Sequence, residues 1–184
     1  MSTIRLIAGK FGGRQIDAPS NDNTRTKPMG ERIRNAMFNS LGSSVHDAEI
    51  LDAFAGTGSV GLEALSRGAS HVTFVERDKI AQKILSKNIA LLHAENDITI
   101  VRSSVASWLD TREEKFYDII LVDPPYHDTQ FSTVSKLLGL LKPNGLMVLS
   151  HPGRGEITNL ANGIVVVDNR SYGNAHLTYF RRVA

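Results

Sequence analysis

Residues 117–128 read YDIILVDPPYHD, and the apolar run Ile119 to Val122 passes straight into Asp123, Pro124, Pro125 and Tyr126. Such a tip is equipped to hold an amino group. The Asp123 carboxylate and the Pro124 carbonyl can each accept one N–H of an exocyclic base amine. The two prolines fix the backbone, so the acceptors stand ready before the amine arrives. Tyr126 can stack on the base, which must leave its helix or loop to reach the pocket. An exocyclic amine is a weak nucleophile, because its lone pair is delocalised into the ring. Held at both N–H groups, the nitrogen is favoured in the pyramidal form that in-line attack on a sulfonium methyl requires.

A second motif is GTGSVG, with Gly56, Gly58 and Gly61 at the spacing of a nucleotide-type turn between a strand and a helix. Glycine lets the backbone approach a ligand closely, and the helix start at Ser59 offers free N–H groups. Glu76 closes the next strand, 20 residues beyond Gly56, where an acid commonly accepts ribose hydroxyls. Two ligands suit this arrangement, a dinucleotide or S-adenosylmethionine. Asp52, at the end of the strand before the glycines, would repel a pyrophosphate but suits the ammonium of a methionine moiety. The Asp-Pro-Pro-Tyr tip is poor equipment for hydride transfer, which favours S-adenosylmethionine.

The remaining sequence must position these groups. From about residue 47, short apolar strands alternate with helical patterns: AEILDAFAG, then SVGLEALSRG, HVTFVERD, KIAQKILSKNIALLH, DITIVRSS, VASWLD, YDIILVD, DTQFSTVSKLLGLL and LMVLSHP. That alternation, with continuous apolar strands, predicts a Rossmann-like α/β domain over 47–184, its sheet mostly parallel. GIVVVDNRSYG and HLTYFRRV predict an antiparallel hairpin at its edge. Ile80, Ile84, Leu85, Ile89 and Leu92 form one helical stripe, expected in the core. Trp108 is expected in helix–sheet packing, and His151 in either a structural or a substrate-facing role. Histidines this scattered predict no metal site.

Residues 1–46 read as a small extension: a hairpin turning at Gly12-Gly13, a polar loop, and an amphipathic helix in GERIRNAMFNSLG. In that helix Ile33, Met37, Phe38 and Leu41 are expected inward, Arg32 and Arg34 outward, with Pro28 in the first turn. The chain of 184 residues carries only +2 net charge, but residues 1–39 hold seven Lys/Arg against three acids, leaving −2 for the remainder. Clustered cations suit either a polyanion or a solvated basic face; on the first reading Arg25, Lys27, Arg32 and Arg34 are candidate contacts to the polyanion, as is His127 beside the tip. The absence of cysteine excludes disulfides and Cys-based zinc sites. No apolar run approaches membrane-spanning length, and the plain expectation is a cytoplasmic protein.

DAFAGTGSVGLEALSRGA, VERD, DIILVDPPY and LKPNGLMVL resemble the class I methyltransferase fold, which carries a seven-stranded sheet. IRLIAGKFGGRQI, KPMGERIRNAMFNSL and RSYGNAHLTYF narrow the resemblance to the RsmD family, bacterial methyltransferases of guanine N2 in 16S rRNA. The resemblance implies that Asp52, Phe54, Ala55, Gly56, Thr57, Gly58, Ser59, Glu76, Arg77, Ser104 and Val105 surround S-adenosylmethionine. It implies that Asp123, Pro124, Pro125 and Tyr126 hold the target amine, and that Lys27, Pro28 and Arg32 sit near the cofactor's open side and the RNA. The extension is expected to serve as a lid on a monomer, and the expected substrate is an assembling small subunit, because a +4 extension is too little to select one site on naked RNA. Three positions depart from the family: Lys27 and Met29, either side of Pro28, stand where arginine and threonine are usual, and Ser104 stands where an acid usually meets the adenine amine. Two other functions use much of the same equipment, a DNA adenine-N6 methyltransferase and a non-catalytic cofactor- or RNA-binding protein. The first usually carries a sizeable target-recognition region for which this chain has no room. The second needs no amine clamp.

Overall fold

The computed structural model of the chain describes residues 2–20, 27–155, 157 and 160–184; Arg25 lies outside them. The apolar runs become strands β3 (Glu49–Asp52), β4 (His71–Val75), β5 (Ile98–Val101), β6 (Tyr117–Val122) and β7 (Leu141–His151). These five run parallel in the order β5-β4-β3-β6-β7. The expected terminal hairpin is β8 (Ile164–Tyr172) with β9 (Ala175–Arg182), and β9 lies antiparallel between β7 and the edge strand β8. Ile119 to Val122 are at most 2% exposed, because helices cover both faces of the sheet. Burial of each such side chain contributes about 1.5–3 kcal/mol.

Between the strands run α2 (Ser59–Ser66), α3 (Lys79–Leu92), α4 (Val105–Thr111) and α5 (Phe131–Leu137). Asp78 caps α3, its carboxylate accepting the Ala81 N–H at 2.8 Å. Ser104 caps α4 in the same way. Helix α5 is shorter than the pattern over 128–141 predicts. Gln130 turns into the left-handed region just before it, and a 3₁₀ turn, Leu138–Leu140, follows it. In α3, Leu85, Ile89 and Leu92 are buried as expected, but Ile80 is 60% exposed. It sits on the first turn of the helix, where the stripe runs out past the end of the sheet.

Ahead of the sheet come β1 (Ser2–Arg5), β2 (Gln15–Ala18) and α1 (Glu31–Leu41). The first two strands pair antiparallel, but residues 6–14 form a wide loop rather than a tight turn at Gly12-Gly13. The loop's N–H groups are engaged elsewhere: Ile7 and Ala8 donate to the Glu63 carboxylate at 2.9 and 3.2 Å, and Lys10 to the Ser66 carbonyl at 2.8 Å. Gly9, with φ +82°, lets this loop approach α2, since a Cβ there would lie 1.8 Å from the Ser66 oxygen. Asn88 ties β2 down, its amide exchanging hydrogen bonds with both backbone groups of Asp17. Leu6, Ile16, Met37, Phe38 and Leu41 share one apolar core with Leu62, Leu65 and Phe74.

Two expectations for α1 are corrected. Pro28 precedes the helix, whose first residue is Glu31 with Gly30 as N-cap. Arg34 faces inward and is 1% exposed. Its guanidinium donates to the Met29 carbonyl at 3.1 Å and the Arg5 carbonyl at 2.6 Å, and its Nε lies 3.8 Å from Glu63. Burial pushes the Arg34 pKa below its ordinary value, and the Glu63 charge pulls it back. Glu63, fully buried, also accepts from Arg67 Nε at 2.9 Å. Arg34 is thus a fastener between the extension and α2. Arg32 is exposed, and Ile33 is half-buried, packed against the core.

Candidate active site

Parallel strands bring their carboxyl ends to one edge, and ligands of such sheets bind there. Along that edge the residues following β3, β4, β5 and β6 line a cavity of about 1270 Å³. From β3 come Phe54 and Gly56, from β4 Glu76 and Arg77, from the β5 loop Ser104 and Val105. From β6 come Asp123, Pro124, Pro125, Tyr126 and His127. Lys27 and Pro28, on the segment entering α1, form the wall towards the extension.

Gly56 lies at φ +57°, and a Cβ placed on it would meet nothing within 4 Å, so this turn leaves room for a ligand against its backbone. Glu76 holds the turn in place: one carboxylate oxygen accepts the Gly56 N–H and the other the Asp78 N–H, both at 2.7 Å. Its remaining lone pairs can accept ligand hydroxyls.

The rest of the glycine loop turns away from the cavity. Ala55, Thr57, Gly58 and Ser59 are buried, and none lines the cavity wall. A Cβ at Gly58 would meet Leu85 at 2.4 Å, and one at Gly61 would meet Phe74 at 2.3 Å. Gly58 makes room for packing against α3 and Gly61 for packing against β4, while Gly56 serves ligand approach. Asp52, 1% exposed, lies behind the wall and accepts the Gly61 N–H at 2.9 Å. Arg32 and Arg34 are likewise not part of the wall.

Burial pushes the Asp52 carboxyl up to about 7, with the Gly61 N–H opposing and the charges of Asp123 and Glu76 adding to the rise. Burial also pushes Asp123 up to about 6, against a hydrogen bond from Ser150. Three carboxyls therefore converge on one region, two of them poorly solvated. Such a site favours a cation and disfavours a pyrophosphate. Tyr126 is fastened by its hydroxyl to Ser150 Oγ at 2.8 Å while the residue stays 40% exposed, so the ring is oriented yet open to a stacking partner.

Ser104 faces the cavity with part of its capacity used, since its Oγ accepts the Ser107 N–H at 3.1 Å and pairs with Ser107 Oγ at 3.0 Å. His151 lies back from the site, its ring paired with Thr178 Oγ1 at 2.8 Å and stacked on His176. Trp108 packs half-buried against the core on the α4 side. Among the described residues no group of His, Asp and Glu is placed to hold a metal ion. No described helix is long and apolar enough to cross a membrane.

Several wall residues escape sequence reasoning: Met29, Ile80, Gln130, Tyr172 and Asn174. Tyr172 ends β8 and Asn174 lies in the turn to β9, which only the sheet order brings to this edge. Ile80 follows a helical period that gives no sign of where the sheet stops.

Comparison with known proteins agrees with this geometry. The family profile described as "Conserved hypothetical protein 95" matches residues 4–181. The chain is 37% identical over 149 residues to the ribosomal RNA small subunit methyltransferase D of Haemophilus influenzae, covering 78% of this chain and 76% of that protein. It is 37% identical over 142 residues to the Escherichia coli protein of the same name, covering 77% and 68%. A solved chain from Escherichia coli superposes with a TM-score of 0.86 at 28% identity, over 100% of this chain and 99% of that one.

Proposed function

This chain belongs to the ribosomal RNA small subunit methyltransferase D family, and from that premise we propose that it moves a methyl group from S-adenosylmethionine to the exocyclic N2 of a guanine in 16S rRNA. The observation that carries this reading is Asp123, followed by Pro124 and the fastened Tyr126, in the same cavity as the open turn at Gly56 and the acid Glu76. The substrate in this reading is an assembling small subunit, the enzyme acts as a monomer without a membrane partner, and Lys27, Pro28 and Met29 of the extension form the wall facing RNA and cofactor.

The residues present fit the cofactor. Gly56 gives backbone access, Glu76 offers acceptors for ribose hydroxyls, and Phe54, Val105 and Ile80 supply apolar wall. The converging carboxyls suit its sulfonium and ammonium. Bound S-adenosylmethionine supplies a methyl group on positively charged sulfur, which departs as a neutral thioether.

The chain does the rest. Asp123 and the Pro124 carbonyl accept the two N–H groups of the amine, so its lone pair points away from them. Tyr126 stacks on the base and sets its plane. Such positioning is worth roughly 7–11 kcal/mol of barrier. As the nitrogen forms its bond to carbon and becomes cationic, the Asp123 carboxylate holds the proton to be lost. Its raised pKa makes it a better acceptor than a solvated aspartate.

Ionised Asp123 is the working form. The rate of methyl transfer is therefore expected to fall tenfold per pH unit below about 6 and to level off above it. The measurement is log kcat against pH with small subunits as substrate; a flat profile from pH 5 to 8 contradicts the role given to Asp123. Stability follows the opposite sign. Both Asp52 and Asp123 have folded-state values above their ordinary 3.8, so the stability they lend is present below that value and lost as pH rises through about 6 and 7. A cation bound beside them offsets this loss. S-adenosylmethionine is expected to raise Tm more at pH 8 than at pH 5, and an equal rise at both would count against cation recognition by these carboxyls.

A further inference from the structure

Every base amine presents two N–H groups, so the Asp123–Pro124 clamp does not by itself tell guanine from adenine or cytosine. Selection has to come from a group meeting the neighbouring atoms of the ring edge. With N2 of guanine clamped, the next two atoms are N1, a donor, and O6, an acceptor. With N6 of adenine clamped they are N1, an acceptor, and C2–H. With N4 of cytosine clamped they are two acceptors. A side-chain amide, one acceptor beside two donors, matches guanine at both positions and the others at only one.

Among the described wall residues two carry an amide, Asn174 and Gln130. Lys27 can only donate, and a neutral His127 ring cannot do both at one edge. The fold separates the two amides. Successive strand residues alternate faces, so Asp123 continues the face of Ile119 and Leu121. That face belongs to the core against which Tyr172 packs. Gln130 precedes α5, whose Val134 and Leu137 cover the opposite face.

The register places Asn174 further. Tyr126 bonds Ser150, Ser150 pairs with Leu177 across the β7–β9 ladder, and His151 with His176. Strand β9 therefore begins, at Ala175, beside the carboxyl edge where Asp123 stands, and the β8–β9 turn rises over it. Side chains along the hairpin are engaged: Arg170 with Asp168, Asn169 with Thr178, Ser171 with His176. Asn174 is exposed, and among the described residues no hydrogen bond holds its amide.

Building on the methyl-transfer reading above, we propose that Asn174 is the guanine-selecting residue, its amide oxygen accepting N1–H and its amide nitrogen donating to O6. The test uses small subunits reconstituted on 16S rRNA carrying either guanine or 2-aminopurine at the methylated position. 2-Aminopurine keeps the 2-amine and lacks both N1–H and O6. Wild-type enzyme is expected to prefer guanine in kcat/KM by roughly tenfold to a hundredfold, the size of a bidentate base contact. Asn174→Ala is expected to bring that ratio near one by losing rate on guanine alone, with unchanged cofactor affinity and Tm. Gln130→Ala is expected to keep the wild-type ratio. An Asn174→Ala enzyme that retains the preference, or a Gln130→Ala enzyme that loses it, overturns the assignment and leaves the methyl-transfer reading standing. A wild-type enzyme that leaves guanine unmethylated overturns that reading itself.

Discussion

Replacing Asp123 with alanine is expected to lower kcat for methyl transfer by about 10²–10³-fold, the cost of removing one preorganised group that meets developing charge. The loss has two parts. The amine keeps only the Pro124 carbonyl as a partner and rotates freely about its bond to the ring. The cationic nitrogen then forms without a carboxylate beside it, in a region where burial already raises the Asp123 pKa to about 6. Affinity for S-adenosylmethionine is expected to change far less, by about tenfold at most, because Asp123 is one of three nearby carboxyls and Glu76 remains. Asp123→Asn is expected to lose less than alanine and to lose the acid limb of the pH profile. Single-turnover transfer and calorimetric titration separate the two effects. A fall in cofactor affinity matching the fall in rate would make Asp123 a binding residue, not the holder of the amine.

Glu63→Ala is the largest expected effect on folding. Glu63 is fully buried, takes N–H groups from Ile7, Ala8 and Arg67, and lies 3.8 Å from the buried Arg34. Removing it leaves Arg34 as a buried charge without its counterion and two loop N–H groups without acceptors. Breaking a buried pair in this way costs about 3–5 kcal/mol, a Tm fall of roughly 6–20 °C for a chain of this size. Glu63→Gln keeps the acceptor oxygen and is expected to fall in between. Arg34→Ala should likewise lower Tm, and any loss of RNA binding should track unfolding. Arg32→Ala, at an exposed position, is expected to leave Tm unchanged and to reduce the salt dependence of RNA binding. A Tm for Glu63→Ala within about 2 °C of wild type would mean that the extension is not fastened through this cluster.

The Arg34 case shows where reading a sequence succeeds and where it stops. Positions 34, 37, 38 and 41 are one helical stripe, so the spacing already places Arg34 beside Met37, Phe38 and Leu41. Its charge argued for the opposite side, and only the distant Glu63, 29 residues on, makes burial tolerable. The parallel strands were plain because Ile119–Val122 and their counterparts need no long-range information to be recognised as buried on both faces. The same holds for the tip they lead to, since Asp123 through Tyr126 are contiguous and follow the strand end. The GTGSVG turn was legible as a turn, but not which glycine opens on the cavity. That depends on Leu85 and Phe74 filling the space beside Gly58 and Gly61. The wall formed by Tyr172 and Asn174 depends on β9 inserting beside β7, a pairing set by sheet order. Ile80 fits the period of its helix and still faces the cavity, because a period carries no record of the sheet's edge.

The most direct measurement is transfer from isotope-labelled S-adenosylmethionine to small ribosomal subunits from cells lacking the enzyme, with the RNA digested and its nucleosides resolved by mass spectrometry. The clamp at Asp123 in a cavity open at Gly56 predicts label in N2-methylguanosine of 16S rRNA, appearing about 10²–10³-fold more slowly with the Asp123→Ala enzyme. Label absent there and present in N6-methyladenine when duplex DNA is supplied would contradict the account.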